Sequence, residues 1–322
     1  VAMTATTKPD WLTISNSNSN SLSFDGDLDY IIIPNSNSLN PTELTIAFWT
    51  KLNSYSAGGA GYNHFVNKWD GSNHQYIISS NTTGLYVYLD NQLYQSNHLP
   101  DLNQWEHVSF TYSSSTGEGV IYINGDTVYN FNSTAQLQSS TMDLHIGGNS
   151  VVNVSYNTVD GLMDEVSIWN TALTQEEIQT NMNSELTGNE SGLVGYWNFN
   201  EGTGSTLADQ TSNGNDGTIT GATWSNDVAS PSYALSGTPG PLDGGLHNVV
   251  LSANDGNGGV ITQSFTVAVS VTHLDIDGTS GFRILSSPIS GAVYSDLLDE
   301  LWTQGAVGSD HEGADPNIWT YN

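Results

Sequence analysis

Between residues 44 and 160 the chain runs as short segments rich in Val, Ile, Thr, Tyr and Phe, at 44–52, 64–68, 75–79, 85–89, 105–113, 119–123 and 142–146. Gly, Asn, Asp and Ser separate them, and Asn124-Gly125 supplies a tight hairpin signal before 127–129. β-branched and aromatic residues suit a half-buried pleated surface, and turn residues at this spacing are what a two-sheet sandwich requires. The expected fold class is therefore all-β.

Composition supports a packed protein. Of 322 residues 37% are apolar, with nine Trp and fifteen Tyr, so a core can form. Cysteine is absent, which rules out a disulfide framework. The net charge is −29, with only four Lys plus Arg. Such a surface repels phosphate backbones, so nucleic acid is excluded as a partner. It also attracts cations and solubilises the chain in salty surroundings. No run of residues has the ~20 apolar positions of a membrane span. No signal peptide is visible, and Val1 reads as an internal start.

Two stretches bear on chemistry. In GLMDEVSIWN (161–170) a period-two reading points Leu162, Val166 and Ile168 one way, with Asp164 mid-strand among apolar neighbours. A carboxylate there is costly unless it is paired, hydrogen-bonded or on a metal. With so few Lys and Arg, a divalent cation is the economical partner; capping by backbone N–H groups of a neighbouring turn is the alternative. Thr174-x-x-Glu177 follows as a capping box opening a helix to about 183. Upstream, LSFDGDLDYIIIP (22–34) predicts a strand, an Asp-Gly turn and a second strand, with Asp25, Asp27 and Asp29 at alternate positions. Oxygen-rich loops of this kind hold calcium, and Asp-x-Asp is also ordinary turn chemistry. Asp209, Asn213 and Asp216 form a similar cluster that fits a tight turn equally well.

Other chemistries lack their residues. No Glu has Asp two residues on, as paired-carboxylate glucanases of the jelly-roll type require, and no His-x-x-x-His or Gly-x-Ser-x-Gly is present. Around Lys68-Trp69-Asp70 lie Tyr62, His64, His74 and Tyr76. Aromatic faces with amide and carboxylate neighbours suit a sugar ring, which makes Trp69, His74 and Tyr76 candidate ligand residues. Trp69 and Tyr76 could equally well pack in the sandwich.

Taken in order, SLSFDGDLDYIIIP, LTIAFWTKLN, QWEHVSFTYSSSTGEGVIYINGDTV, LHIGGN, GLMDEVSIWNTALTQEEI and GLVGYWNFNEGTGSTLADQTSNGNDGTITGATW make residues 20–228 resemble a laminin-G-like, concanavalin A-type jelly roll of the pentraxin-like subgroup. The resemblance implies a binding or adhesion platform rather than an enzyme. It also implies a calcium ion where the early loop meets the closing strand, with Asp25, the Gly26 carbonyl, Asp27 and Asp164 as ligands.

The ends resemble a second family. ATTKPDWLT (5–13) and LSGTP (235–239), with alternating strands at 247–251 and 264–271, are similar to the Ig-like, cadherin-like modules of bacterial surface proteins. The expected organisation is a jelly-roll β-sandwich nested in a small Ig-like β-sandwich with parts 1–15 and 229–272, followed by a C-terminal extension, a linker and truncated module, at 273–322. That family's first strand would precede Val1, so truncation or a strand donated by another chain is expected. The implied role is a secreted or cell-surface, calcium-stabilised adhesion or glycan-binding protein with glycans or surface proteins as partners. The alternative is a structural subunit of an extracellular fibre, a homopolymer joined through terminal segments by strand exchange.

Overall fold

The computed structural model describes residues 2–16, 19–55, 61–137, 139–150, 157–229, 233–240, 243–254 and 259–270. The expected extension at 273–322 and most of the 255–259 turn lie outside them. Along the chain, β1 (Ala2–Thr7) and β2 (Leu12–Asn16) come first. Then follow β3 (Ser21–Asp25), β4 (Tyr30–Ile33), β5 (Leu44–Leu52), β6 (Asn63–Trp69), β7 (His74–Asn81), β8 (Gly84–Leu89) and β9 (Gln92–Gln95). Next are β10 (Glu106–Tyr112), β11 (Glu118–Ile123), β12 (Asp126–Asn132), β13 (Leu144–Ile146) and β14 (Asp160–Trp169). Helix α1 (Gln175–Asn181) precedes β15 (Leu193–Trp197), β16 (Thr206–Leu207), β17 (Gly217–Thr220) and β18 (Thr223–Ser225). The last are β19 (Tyr233–Gly237), β20 (Gly245–Asn254) and β21 (Val260–Val269).

The chain forms two compact units, residues 18–232 and a unit made from both ends, 1–17 with 233–322. In the latter, β1-β20-β21 form one antiparallel sheet, and β2 pairs with β19. Within the same unit, the Trp11 and His247 rings meet edge to face at 5.5 Å.

The 18–232 unit is a jelly-roll sandwich. One sheet runs β12-β11-β10-β5-β14-β3-β18, with β15 also on β14, and the other runs β16-β17-β4-β13-β6-β7-β8-β9. Alternate residues of each strand meet between them: Ile46 and Phe48 of β5, Val108 and Phe110 of β10, Ile31 and Ile33 of β4, Tyr76 and Ile78 of β7, all buried. Each such side chain is worth roughly 1.5–3 kcal/mol of burial. Asp25-Gly26 does turn the chain (Gly26 φ 82°), but the strands it joins are not paired with each other; β3 lies in one sheet and β4 in the other. The turn is a corner between layers, not a hairpin. At Gly147, φ 77°, an added Cβ would lie 2.0 Å from the Phe24 ring, so the close approach of chain and ring requires glycine.

The capping box stands as expected. The Thr174 side chain accepts from the Glu177 N–H, and the Glu177 carboxylate accepts from the Thr174 N–H. The helix buries Ile178 against a second apolar cluster of Tyr122, Trp169, Leu173 and Tyr196 on the outer face of the first sheet.

The strand reading of 161–170 needs one correction. Residues 160–163 pair with β3, 166–169 pair with β15, and the register on β5 slips between Asp164 and Ser167. Glu165 sits at this bulge with φ 54°. The extra residue flips the alternation. Met163, Val166 and Ile168 face the core, and Leu162 does not.

Candidate functional site

The outer face of the second sheet follows from the same alternation. Ile78 of β7, Leu85, Val87 and Leu89 of β8, and Leu144 and Ile146 of β13 point into the core. Their neighbours Ile77, Ser79, Tyr86, Tyr88 and His145 therefore point away from it. Register joins them with β6: His64 pairs with Ser79, and Asn67 with both Ile77 and His145.

Aromatic rings form a row on this face. Tyr62 stacks on His64 at 5.8 Å, and His64 meets the edge of Trp69 at 5.7 Å. Trp69 stacks on His74 at 5.4 Å and His74 on Tyr88 at 4.3 Å. Tyr62, Trp69, His74 and Tyr88 are half-buried, whereas His64, Ser79 and His145 are buried. Four polar atoms here have no protein partner: His64 Nδ1, Trp69 Nε1, Ser79 Oγ and His145 Nδ1. Burial holds His64 down at about 3 and lowers His145, so both rings are neutral near pH 7. The His145 Nε2 and the Ser150 hydroxyl share a hydrogen bond of 2.8 Å. The half-exposed faces of Tyr62, Trp69, His74 and Tyr88 suit the C–H face of a sugar, while the four unpartnered atoms lie buried beneath that surface.

Of the three ligand residues expected from sequence, Trp69 and His74 stand in this row. Tyr76 does not. It is fully buried in the core, and its hydroxyl donates to the Leu39 carbonyl at 3.2 Å. His74 and Gln75 lie between Tyr76 and Trp69 on the chain, and cross-strand pairing sets Tyr76 against Lys68, which is also buried. Lys68 donates to Asn35 Oδ1, the Leu39 carbonyl and Asn40 Oδ1 at 2.7, 3.1 and 2.9 Å. Tyr88 is the residue that sequence reasoning missed; alternation within 84–89 is the signal that could have found it.

The expected calcium ligands do not come together. Asp25 lies opposite Asp160, and Leu22 opposite Met163, so Asp164 is four residues further along β14. That is about 13 Å of strand. Asp25 and Asp27 are instead turn residues: Asp25 Oδ1 accepts from the Asp27 N–H, and the Asp25 N–H donates to buried Asp29. Burial, above all, raises Asp29 to about 6. Asp164 is buried; its Oδ2 accepts from the Ala229 N–H at 3.3 Å and its Oδ1 has no partner. Among the described residues no three His, Asp or Glu side chains converge on a metal position. Asp25 and Asp164 therefore do not meet at one ion. The Asp209 cluster is a turn, its carboxylate accepting from the N–H groups of Tyr196, Thr211 and Asn215.

A family model described as the concanavalin A-like lectin/glucanases superfamily matches residues 25–179. No curated protein matches the chain. Among solved structures, a candidate carbohydrate-binding protein from Bacteroides ovatus ATCC 8483 is similar at 19% identity and TM-score 0.56, over 66% of this chain and 61% of that one. This chain thus spans less than two thirds of that protein. The heptameric SAP-like pentraxin of Limulus polyphemus aligns at 17% identity and TM-score 0.40, over 51% and 81% of the two chains. The zebrafish Gpr126/Adgrg6 extracellular region aligns at 16% and 0.46, over 68% and 28%. At those TM-scores neither bears on this chain. Sheet order, sandwich core, family match and the Bacteroides likeness agree: the 18–232 unit has the concanavalin A-like lectin fold.

Proposed function

We propose that the 18–232 unit is a non-catalytic glycan-binding module whose ligand lies on the outer face of the second sheet. The observation that carries this is the row of half-exposed rings Trp69–His74–Tyr88 on that face. A sugar lays its C–H face against such a ring and turns its hydroxyls to polar neighbours and water. The carbohydrate-binding description of the Bacteroides protein is in line with this reading. A secreted or surface-exposed setting, where glycans are met, belongs to the same proposal. So does the reading of the unit built from both ends as Ig-like. The test is a glycan array with the full chain, followed by titration calorimetry on hits with wild type and Trp69→Ala. Binding that Trp69→Ala removes supports the site. Binding indifferent to Trp69→Ala and Tyr88→Ala, or release of reducing sugar from a bound glycan, overturns it.

A further inference from the structure

On the other side of the sandwich, the outer face of the first sheet carries a cavity of about 260 Å3. Its lining includes Trp49 of β5, His107 of β10 and Glu165 at the bulge of β14, with α1 and the chain after it contributing Ile178 and Glu185. Trp49 and His107 are cross-strand neighbours whose rings meet at 5.3 Å.

Negative charge gathers here without a protein counter-charge. Glu165 and Glu185 line the cavity, and Asp164 feels the charge of both. Among the described residues the one ion pair is Lys51–Asp227, elsewhere. Glu165 accepts from the Tyr196 hydroxyl, and Glu185 from the side-chain amides of Asn198 and Asn200 at 3.3 Å each. These are neutral donors and leave the charges unbalanced. His107, only 5% exposed, lines the cavity, and its Nδ1 has no partner. Burial holds that ring down at about 4, so it is a neutral imidazole at pH 7. Burial likewise lifts Glu165 to about 7. Glu165 also holds a positive φ of 54°, a conformation that costs a non-glycine residue energy.

We propose that this cavity binds a primary ammonium group, carried on a small amine or an amino sugar, between the Glu165 and Glu185 carboxylates with His107 as a further acceptor and Trp49 as an aromatic wall. An ammonium has three donors, no acceptor and one charge, which complements a site of unbalanced carboxylates and one unpartnered imidazole nitrogen. An indole face adds a cation–π contribution. A bare divalent metal is a poorer match, because among the described residues no three His, Asp or Glu side chains converge. The volume is below the ~300–1,000 Å3 typical of drug-sized sites, which limits the occupant to about one sugar ring or a short alkyl chain. The proposal is independent of the glycan reading, since the two faces belong to opposite sheets.

The test is titration calorimetry of the 322-residue chain at pH 7.5 with glucosamine, N-acetylglucosamine, glucose and n-propylamine. Glucosamine or n-propylamine should bind while N-acetylglucosamine and glucose produce no heat that Glu165→Gln removes. Glucosamine tighter than n-propylamine assigns an amino sugar; the reverse assigns a free amine. Glu165→Gln and Glu185→Gln should each weaken binding at least tenfold in folded protein, as judged by an unchanged circular dichroism spectrum. Binding should also weaken as pH falls from 8 to 6, where Glu165 takes up its proton. Equal binding of glucosamine and N-acetylglucosamine, wild-type affinity in both variants, or no heat with either amine overturns the proposal.

Discussion

Trp69 and His74 stack ring on ring, 5.4 Å between centroids and 7° from parallel, as paired residues where β6 and β7 meet. His74 carries the stack on to Tyr88 at 4.3 Å. The imidazole thus holds two larger rings in place, with its backbone N–H and Nδ1 both on Asn91 Oδ1 at 2.7 and 3.1 Å. Replacing His74 by Ala should loosen both Trp69 and Tyr88. Glycan affinity is expected to fall about tenfold, or ~1.4 kcal/mol. Calorimetry against a glycan identified on the array checks it, and His74→Phe, which keeps a flat ring, should recover most of the loss.

Lys68 is a buried cation held by three neutral oxygens. Burial pulls it down from the ordinary lysine value to about 8. Between about 8 and 10.5 the folded chain therefore binds fewer protons than the unfolded one, and stability should rise with pH across that window. Urea unfolding at several pH values from 7.5 to 10 measures the slope. Lys68→Met should flatten it and cost about 2–3 kcal/mol at neutral pH by removing its three hydrogen bonds to the Asn35, Leu39 and Asn40 oxygens.

Glu165 titrates with the opposite sign. Its value in the fold is lifted from 4.5 to about 7, so the folded chain keeps its proton longer than the unfolded chain. That contribution is complete below 4.5 and is lost as pH rises through 7. Asp29, lifted to about 6, acts in the same direction. Glu165→Gln should remove part of the fall in melting temperature between pH 5 and 7.5, and Asp29→Asn a further, separate part. A melting temperature that rises with pH over this range in wild type would contradict the assignment.

Asp25 and Asp164 are set apart by the register of β3 on β14. The stability effects of Asp25→Asn and Asp164→Asn should therefore add to within about 0.5 kcal/mol, as for residues with no shared partner. A cation bridging them would couple the pair by more than that, and a chelator would then lower the melting temperature. We expect no chelator effect through this pair.

Thr174→Ala removes one half of the reciprocal cap of α1 and should cost ~1 kcal/mol in thermal unfolding. Since α1 and the chain after it contribute to the Glu165 cavity, the same substitution should weaken amine binding more than glycan binding.

Much of this fold was legible because its signals are local. Alternation marked β5, β7, β8, β10 and β11 within a residue or two at either end, and Thr174-x-x-Glu177 announced the helix. The failures share one cause, which is that register is not local. A period-two reading places Leu162 on the face of Val166 and Ile168 because nothing in Asp164-Glu165 signals a bulge; the left-handed residue there is a glutamate, not a glycine. Asp25-Gly26 carries the same turn chemistry whether it closes a hairpin or turns a corner between sheets. Asp25 and Asp164 both lie on adjoining strands, yet only the Asp25–Asp160 pairing shows how far apart they are. Tyr76 and Trp69 look alike in sequence, but Tyr76 pairs with buried Lys68, alternation turns the next residue, Trp69, to the outer face, and the slip there sets His74 opposite it.

β18 closes the jelly roll against β3, with Ser225 beside Ser21, so the strands that enter and leave the 18–232 unit are neighbours in one sheet. Their Cα atoms are about 5 Å apart. To any chain that carries it, the unit is a detour that returns almost to its starting point, and its closure entropy is set by that short gap instead of by the guest's length. A cassette of this kind can be moved between hosts, or circularly permuted through a short linker from Ser225 to Ser21, with little penalty to the recipient.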